Sequence, residues 1–197
     1  IFKEEWIKID DEEPSDGRFF ITVDLAGFIN VDKESGNKNS KLDETAIAVV
    51  KVHEGGWWVA DIIHGRWDIK ETAQRILRHA SEYEIQIVGI ERGALKNAVL
   101  PYLHDMMKRS NIYPRIDDLT HGNKAKIDRV VWALQGRFEH GKITIKKDDW
   151  NREFVDQLLN FPATGVHDDM LDALSYIDQI AVTDFSFEFE EEEYEPL

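Results

Sequence analysis

Short, almost unbroken apolar runs alternate along the chain with longer segments in which an apolar residue returns every three or four positions. The short runs are typical of strands buried on both faces, and the longer spacing is typical of helices that pack through one face. The pattern predicts strands at 19–25, 45–53, 56–63, 85–91, 113–119 and 142–145. It predicts helices at 68–83, 94–109, 123–138, 149–160 and 168–182.

The order of these elements predicts the fold class. Gly55-Gly56 separates the second and third strands and is a signal for a hairpin turn. Three strands in succession, followed by alternating helices and strands, indicate an α/β fold with a mixed β-sheet flanked by α-helices on both faces. We expect residues 19–182 to form the domain, 1–18 to be an acidic linker segment and 183–197 to be an acidic, flexible tail.

Carboxylates interrupt the pattern at three places. Asp24 ends the first apolar run, Glu91 ends the fourth, and Asp168 and Asp169 open the last helical segment. Ligands collect at the carboxyl ends of parallel strands, so Asp24 and Glu91 would lie side by side if their strands are parallel neighbours. The acids of the helix would then face this end of the sheet from above.

Acids brought this close together in a partly buried place repel one another, and a bound cation is the usual way to keep them ionised. Hard oxygen ligands favour Mg²⁺ or Mn²⁺. Two such ions about 4 Å apart can clamp the attacking and leaving oxygens of a phosphodiester. The carboxylates therefore predict a metal-binding catalytic centre for phosphodiester hydrolysis.

Seven short motifs, taken in order, resemble one known family. They are Val23–Gly27, Asp43–Val50, Gly89–Gly93, Lys124–Arg129, Phe138–Ile143, Leu158–Pro162 and His167–Leu174. From about Phe19 to Ala181 the chain resembles the C-terminal nuclease domain of the terminase large subunit of tailed bacteriophages and related viruses. That domain has a ribonuclease H-like fold.

The resemblance implies a metal-dependent endonuclease that cuts concatemeric viral double-stranded DNA at the start and end of genome packaging. It implies two ions, Mg²⁺ or Mn²⁺, held by Asp24, Glu91 and Asp168 or Asp169, with Asp169 the first choice of the last pair. Many relatives have aspartate where this chain has Glu91. The implied partners are the N-terminal ATPase domain of the same full-length protein, the small terminase subunit, and the portal or procapsid, to which the acidic tail would dock.

Four further residues have two interpretations each. Asp43 would assist metal or DNA placement, or be a turn residue. Arg92 would contact the scissile phosphate or form a structural ion pair. His167 would orient a water or support a ligand, or be a polar surface residue, and Asp172 would support the ligands or favour the helix N-terminus. Asp168 and Asp169 themselves have helix capping as their alternative role.

The net charge of −15 is unevenly distributed. Residues 1–16 carry two basic and seven acidic side chains, and residues 183–197 carry seven acidic and no basic ones. Residues 108–147 carry ten basic side chains against four acidic ones, which favours a phosphate-facing surface. The predicted DNA contacts are Lys124, Lys126 and Arg129, with simple solvation as the alternative.

The remaining motifs set limits on function. The chain contains no cysteine, no run of about 20 apolar residues and no signal-peptide pattern, so we expect a protein of the host cell cytoplasm that is not secreted. It contains no Walker-type phosphate loop, so we expect no ATP hydrolysis by this domain alone. The alternatives are another ribonuclease H-like nuclease, such as a junction resolvase, and a non-catalytic docking module of a packaging motor.

Overall fold

A computed structural model of the chain describes residues 1–27, 44–120, 125–163 and 165–181. Within these residues seven strands form a single mixed sheet. They are β1 (Lys8–Ile9), β2 (Arg18–Asp24), β3 (Thr45–His53), β4 (Gly56–Gly65), β5 (Ile87–Glu91), β6 (Arg115–Leu119) and β7 (Ile143–Ile145). Their spatial order is β1-β7-β4-β3-β2-β5-β6.

The described helices follow the predicted order. They are α1 (Ile69–Glu82), α2 (Ala94–Ser110), α3 (Lys126–Val130), α4 (Gly136–Glu139), α5 (Asn151–Asn160) and α6 (Asp169–Ser175). A π-helical turn, Val131–Gln135, joins α3 to α4, so the helix predicted at 123–138 is interrupted by a change of helical type. Residues 177–181 are helical again after α6.

The directions of the strands confirm a mixed sheet. β3 runs antiparallel to both of its neighbours, β2 and β4, and the predicted hairpin turn lies between His53 and Gly56. The pairs β2–β5, β5–β6, β4–β7 and β1–β7 are parallel. The sheet thus changes direction at β3, and β2 and β5 lie next to each other with their carboxyl ends at the same edge.

Helices cover both faces of the sheet, as predicted. Successive residues of a strand point to opposite faces, so Phe20 belongs to one hydrophobic core and Ile21 to the other. The α1 and α2 helices pack on the face of Ile21, and α3 to α6 pack on the face of Phe20. Burial on both faces explains why the central strands are apolar without alternation.

The α6 helix differs from its prediction. It was expected to be amphipathic, but every residue from Asp169 to Ser175 is buried, as is characteristic of a helix surrounded by protein. It packs across β2, β3 and β4. A buried hydrogen bond fixes it to the sheet, because the Thr22 hydroxyl donates to the carbonyl oxygen of Ala173 at 2.6 Å. The strand that ends in Asp24 and the helix that begins with Asp169 are therefore locked together.

The first residues of the chain contribute to the fold. β1, which the pattern did not predict, adds to the edge of the sheet beside β7. A strand of two residues is too short to show an alternating pattern. Phe2 is buried among aromatic side chains, with ring centroids 5.8 Å from Phe138 and 6.2 Å from Phe161. The division between linker and domain at residues 18 and 19 stays a prediction, although Phe2 shares the main core.

Three predictions fall outside the described residues: the polar loop at 30–41, Asp43 and Lys124, and the acidic tail at 183–197. Among the helices that the structure does describe, none combines the length and the apolar character needed to cross a membrane.

We expect Phe2→Ala to lower the free energy of unfolding by about 2–3 kcal/mol, because it removes a buried aromatic ring and leaves a cavity against two others. The matched control is Ile1→Ala, which changes a neighbouring side chain that is 48% exposed. This control should cost less than about 0.5 kcal/mol. Urea unfolding of both variants gives the comparison, and equal effects would show that the first residues do not pack on the core in solution.

Candidate active site

Two carboxylates meet at the carboxyl ends of β2 and β5. Val23 and Ile90 are direct partners in the parallel pair, so the residues that follow them, Asp24 and Glu91, lie side by side. Their side chains are joined by a hydrogen bond. The prediction that these two strands are parallel neighbours is confirmed, and the two acids are brought together as that prediction requires.

The surroundings of Asp24 raise its pKa to about 8, from an ordinary value of 3.8. Burial is the largest cause, followed by the charge of Asp172 and then by the hydrogen bond and the charge of Glu91. The charge of Lys126 opposes the shift. Near neutral pH, therefore, the pair Asp24–Glu91 holds a proton between its two carboxyl groups when no metal is bound.

Glu91 is fixed by the backbone on its carboxyl side. The next residue, Arg92, donates its N–H to the carbonyl of Leu119 at 2.9 Å, which extends the pairing of β5 with β6. Gly93 then begins α2 with a φ of +151°, a conformation that favours glycine. Arg92 itself is 68% exposed and pairs with Asp118 at 3.0 Å, which agrees with the structural ion pair among its two interpretations.

The first acids of α6 face two different groups. Asp168 stands at the N-cap position, but its side chain makes no capping hydrogen bond and instead accepts one from the Lys126 ammonium at 2.7 Å. Asp169 is 4% exposed. Its Oδ2 accepts a hydrogen bond from the backbone N–H of Glu44 at 3.3 Å and lies 3.4 Å from Nδ1 of His167. His167 thus contacts an acid of the site.

Asp172 is the most deeply buried of these acids, with 2% of its side chain exposed. It accepts hydrogen bonds from the Lys126 ammonium and, at 2.5 Å, from Nη2 of Arg129. Burial raises its pKa, and these two cations act in the opposite direction. Because its charge is the second cause of the shift at Asp24, Asp172 is closer to the centre of the site than its predicted supporting role suggests.

Sequence reasoning missed Glu44, although this residue lies within one of the motifs. Its backbone N–H binds Asp169, and its side chain accepts a hydrogen bond from Nδ1 of His64 at 2.7 Å. Nε2 of His64 in turn lies 3.2 Å from Glu153 of α5. The register of β2 against β3, which pairs Asp24 with Ala46, is the signal that would have placed Glu44 at the site.

The predicted DNA contacts differ in their exposure. The Lys126 side chain is 45% exposed, whereas that of Arg129 is 8% exposed and stacks its guanidinium over the ring of Tyr176 at 4.6 Å. Arg129 therefore faces Asp172 rather than solvent, and this placement does not support its contact with DNA. The basic stretch 108–147 does not form one surface, because α2 and α3 lie on opposite faces of the sheet.

The donor set fits a hard divalent cation in its chemistry, since all of its acids offer carboxylate oxygen and Asp24 and Glu91 share a proton that such an ion would replace. In the conformation described, however, no three His, Asp or Glu side chains within residues 1–27, 44–120, 125–163 and 165–181 are arranged closely enough to hold a metal. The acids of α6 face Lys126, Arg129 and the Glu44 backbone instead.

A family profile described as the terminase RNaseH-like domain matches residues 22–178. The chain therefore belongs to the family of terminase RNaseH-like domains. This confirms the resemblance to the nuclease domain of the terminase large subunit and the ribonuclease H-like fold, and it supports a nuclease role in viral DNA packaging. No curated protein matched the chain significantly.

Solved terminase structures share the fold. The large terminase nuclease from the thermophilic phage G20c, with bound zinc, superposes with a TM-score of 0.59 and 17% identity over 88% of this chain and 93% of its own. The human cytomegalovirus terminase nuclease domain superposes with a TM-score of 0.65 and 13% identity over 91% of this chain and 95% of its own.

A third structure extends beyond the shared domain. The large terminase from another thermophilic bacteriophage superposes with a TM-score of 0.60 and 11% identity over 92% of this chain but 43% of its own. Metals accompany the two nuclease domains: the G20c nuclease has also been solved with bound magnesium, and the cytomegalovirus domain after soaking with manganese, with an inhibitor bound. At these identities the likeness establishes the fold alone.

We expect Asp24→Asn to stabilise the metal-free domain, by about 1–3 kcal/mol at pH 8. The folded protein holds a proton on Asp24 up to about pH 8, whereas the unfolded chain releases it near 3.8, so wild-type stability falls as the pH rises through this window. The gain from the substitution should therefore be small at pH 4 and grow towards pH 8.

Thermal unfolding in EDTA at several pH values measures this gain. The matched control is Asp149→Asn, which changes an exposed carboxylate and should show no such growth. A gain from Asp24→Asn that does not depend on pH would contradict the shared proton.

Proposed function

We propose that this domain is a metal-dependent endonuclease that cleaves concatemeric viral double-stranded DNA when genome packaging begins and ends. The observation that carries the proposal is the pair Asp24–Glu91, two acids that burial and a shared proton hold together at the end of the sheet. A buried pair of acids in contact is costly unless a proton or a cation lies between them, and it is thus prepared to exchange one for the other.

We assign the metal ligands to Asp24, Glu91 and the acids at the start of α6, Asp169 with the assistance of Asp168. A site made of carboxylate oxygens favours Mg²⁺ or Mn²⁺, and two ions are expected. The magnesium in the G20c nuclease and the manganese soaked into the cytomegalovirus domain support divalent ions of this kind. When bound, the ions would activate a water as nucleophile and stabilise the leaving 3′-oxygen.

The residues around the ligands have positioning roles in this proposal. Thr22 holds α6 against β2, so the acids of the helix keep their distance from Asp24. The Glu44 N–H orients Asp169, and Arg129 orients Asp172 from a fixed position over Tyr176. No covalent intermediate with a protein side chain is expected, because phosphodiester hydrolysis between two metal ions uses water directly.

Double-stranded DNA is the proposed substrate, and the host cell cytoplasm is the proposed location. The proposed partners are the N-terminal ATPase domain of the full-length protein, the small terminase subunit and the portal or procapsid. The large terminase of the second thermophilic bacteriophage supports a longer protein of this kind, since this chain matches 43% of its length.

Incubation of the purified domain with supercoiled plasmid and Mn²⁺ or Mg²⁺ tests the proposal. We expect nicked and then linear DNA, loss of cleavage in EDTA, and a reduction of at least about a hundredfold in Asp24→Asn and Glu91→Gln, which remove a proposed ligand. Asp149→Asn should cleave like the wild type, because this exposed acid lies outside the site.

Two outcomes would favour the alternatives. Cleavage confined to branched DNA or to RNA would indicate a junction resolvase or an RNA-cleaving relative. A folded wild-type domain that binds no divalent metal and cleaves neither linear, supercoiled nor branched DNA would contradict the nuclease proposal and favour a docking module.

A further inference from the structure

Lys126 occupies an unusual position for an exposed lysine. Its ammonium contacts Asp168 at 2.7 Å and also contacts Asp172, so one cation joins two acids of α6. Its charge also acts on Asp24 at the end of β2. The first residue of α3 therefore supplies positive charge to a cluster of acids drawn from a strand and a helix.

Arg129 and Lys126 bind the same acid in different ways. The Arg129 side chain is 8% exposed and stacks on Tyr176, so its guanidinium is held on two sides. The Lys126 side chain is 45% exposed, on a flexible four-carbon stem at the first turn of its helix. The ammonium of Lys126 can therefore leave the cluster by rotation of the side chain, without unpacking a buried group, whereas the guanidinium of Arg129 cannot.

The ammonium and a divalent cation need the same oxygens. Asp168 directs Oδ1 to Lys126, and Asp172 directs Oδ2 to it. Two positive groups that share carboxylate ligands repel each other strongly in a partly buried place. An ion that uses the acids of α6 must consequently displace the ammonium or bind more weakly in its presence.

We propose that Lys126 is a built-in competitor of the metal, which neutralises the acids of α6 in the metal-free state and is expelled towards solvent when a divalent cation binds. This inference rests on the proposed function, because it takes Asp24 and its neighbours as the metal site. The binding of metal and the release of Lys126 are then one linked event. The released ammonium is available to a DNA phosphate only after the metal has bound, which gives the site an order of assembly.

Calorimetric titration with Mn²⁺ in the absence of DNA tests the competition. We expect Lys126→Met to bind Mn²⁺ about tenfold more tightly than the wild type, since a neighbouring positive charge is removed. Lys126→Arg, which keeps the charge, should bind like the wild type or more weakly. The matched control is Lys108→Met, an exposed lysine of α2 on the other face of the sheet, and it should have no effect.

A second measurement uses the wild-type protein and does not depend on the folding of a variant. Acylation of lysine side chains, followed residue by residue by mass spectrometry, should label Lys126 severalfold faster when Mn²⁺ is present. Lys108 should be labelled at a constant rate and serves as the internal standard. In Asp24→Asn the manganese effect on Lys126 should be lost.

The outcomes separate the two proposals. If Mn²⁺ stabilises the wild type through Asp24 but Lys126→Met binds it no more tightly and the labelling of Lys126 does not change, the competition is wrong and the metal site stands. If Mn²⁺ neither binds nor stabilises the wild type, the proposed function fails, and the competition fails with it.

Discussion

Repulsion between buried carboxylates is the constraint on which this site depends. Asp24 and Glu91 end paired strands and cannot move apart, because the backbones that carry them are hydrogen-bonded to each other. The free domain relieves the repulsion with a proton shared by these two acids. It relieves the same repulsion on α6 with the cations Lys126 and Arg129. Each arrangement keeps acids in place that would otherwise separate.

The burial of α6 follows from the same constraint. A helix on the surface could carry three acids at no cost in hydration, but it could not hold them against the end of a strand. Packing across the centre of the sheet removes that freedom, and the bond from Thr22 to the carbonyl of Ala173 fixes the helix along β2. The same packing removes water from Asp172 and makes its cationic partners necessary.

The fold was largely predictable because the central strands are buried on both faces, which leaves short apolar runs that end in Asp24 and Glu91. The details of α6 were not, since its complete burial depends on the sheet beneath it and not on its own periodicity. For the same reason the sequence did not distinguish Asp172, the most buried acid, from its neighbours. The π-helical turn after α3 has no sequence signal of its own, and the dense basic stretch is divided between two faces by chain topology.

The two cations of the cluster are not interchangeable. An arginine offers a planar, permanently charged group that stacks on an aromatic ring, and Arg129 uses both properties to hold Asp172 from a fixed position. A lysine offers a compact charge on a flexible stem, and Lys126 reaches the same acid from a partly exposed position. A site that must hold its acids together before and after a metal enters needs one cation of each kind: the fixed one maintains the geometry, and the mobile one makes room for the incoming charge.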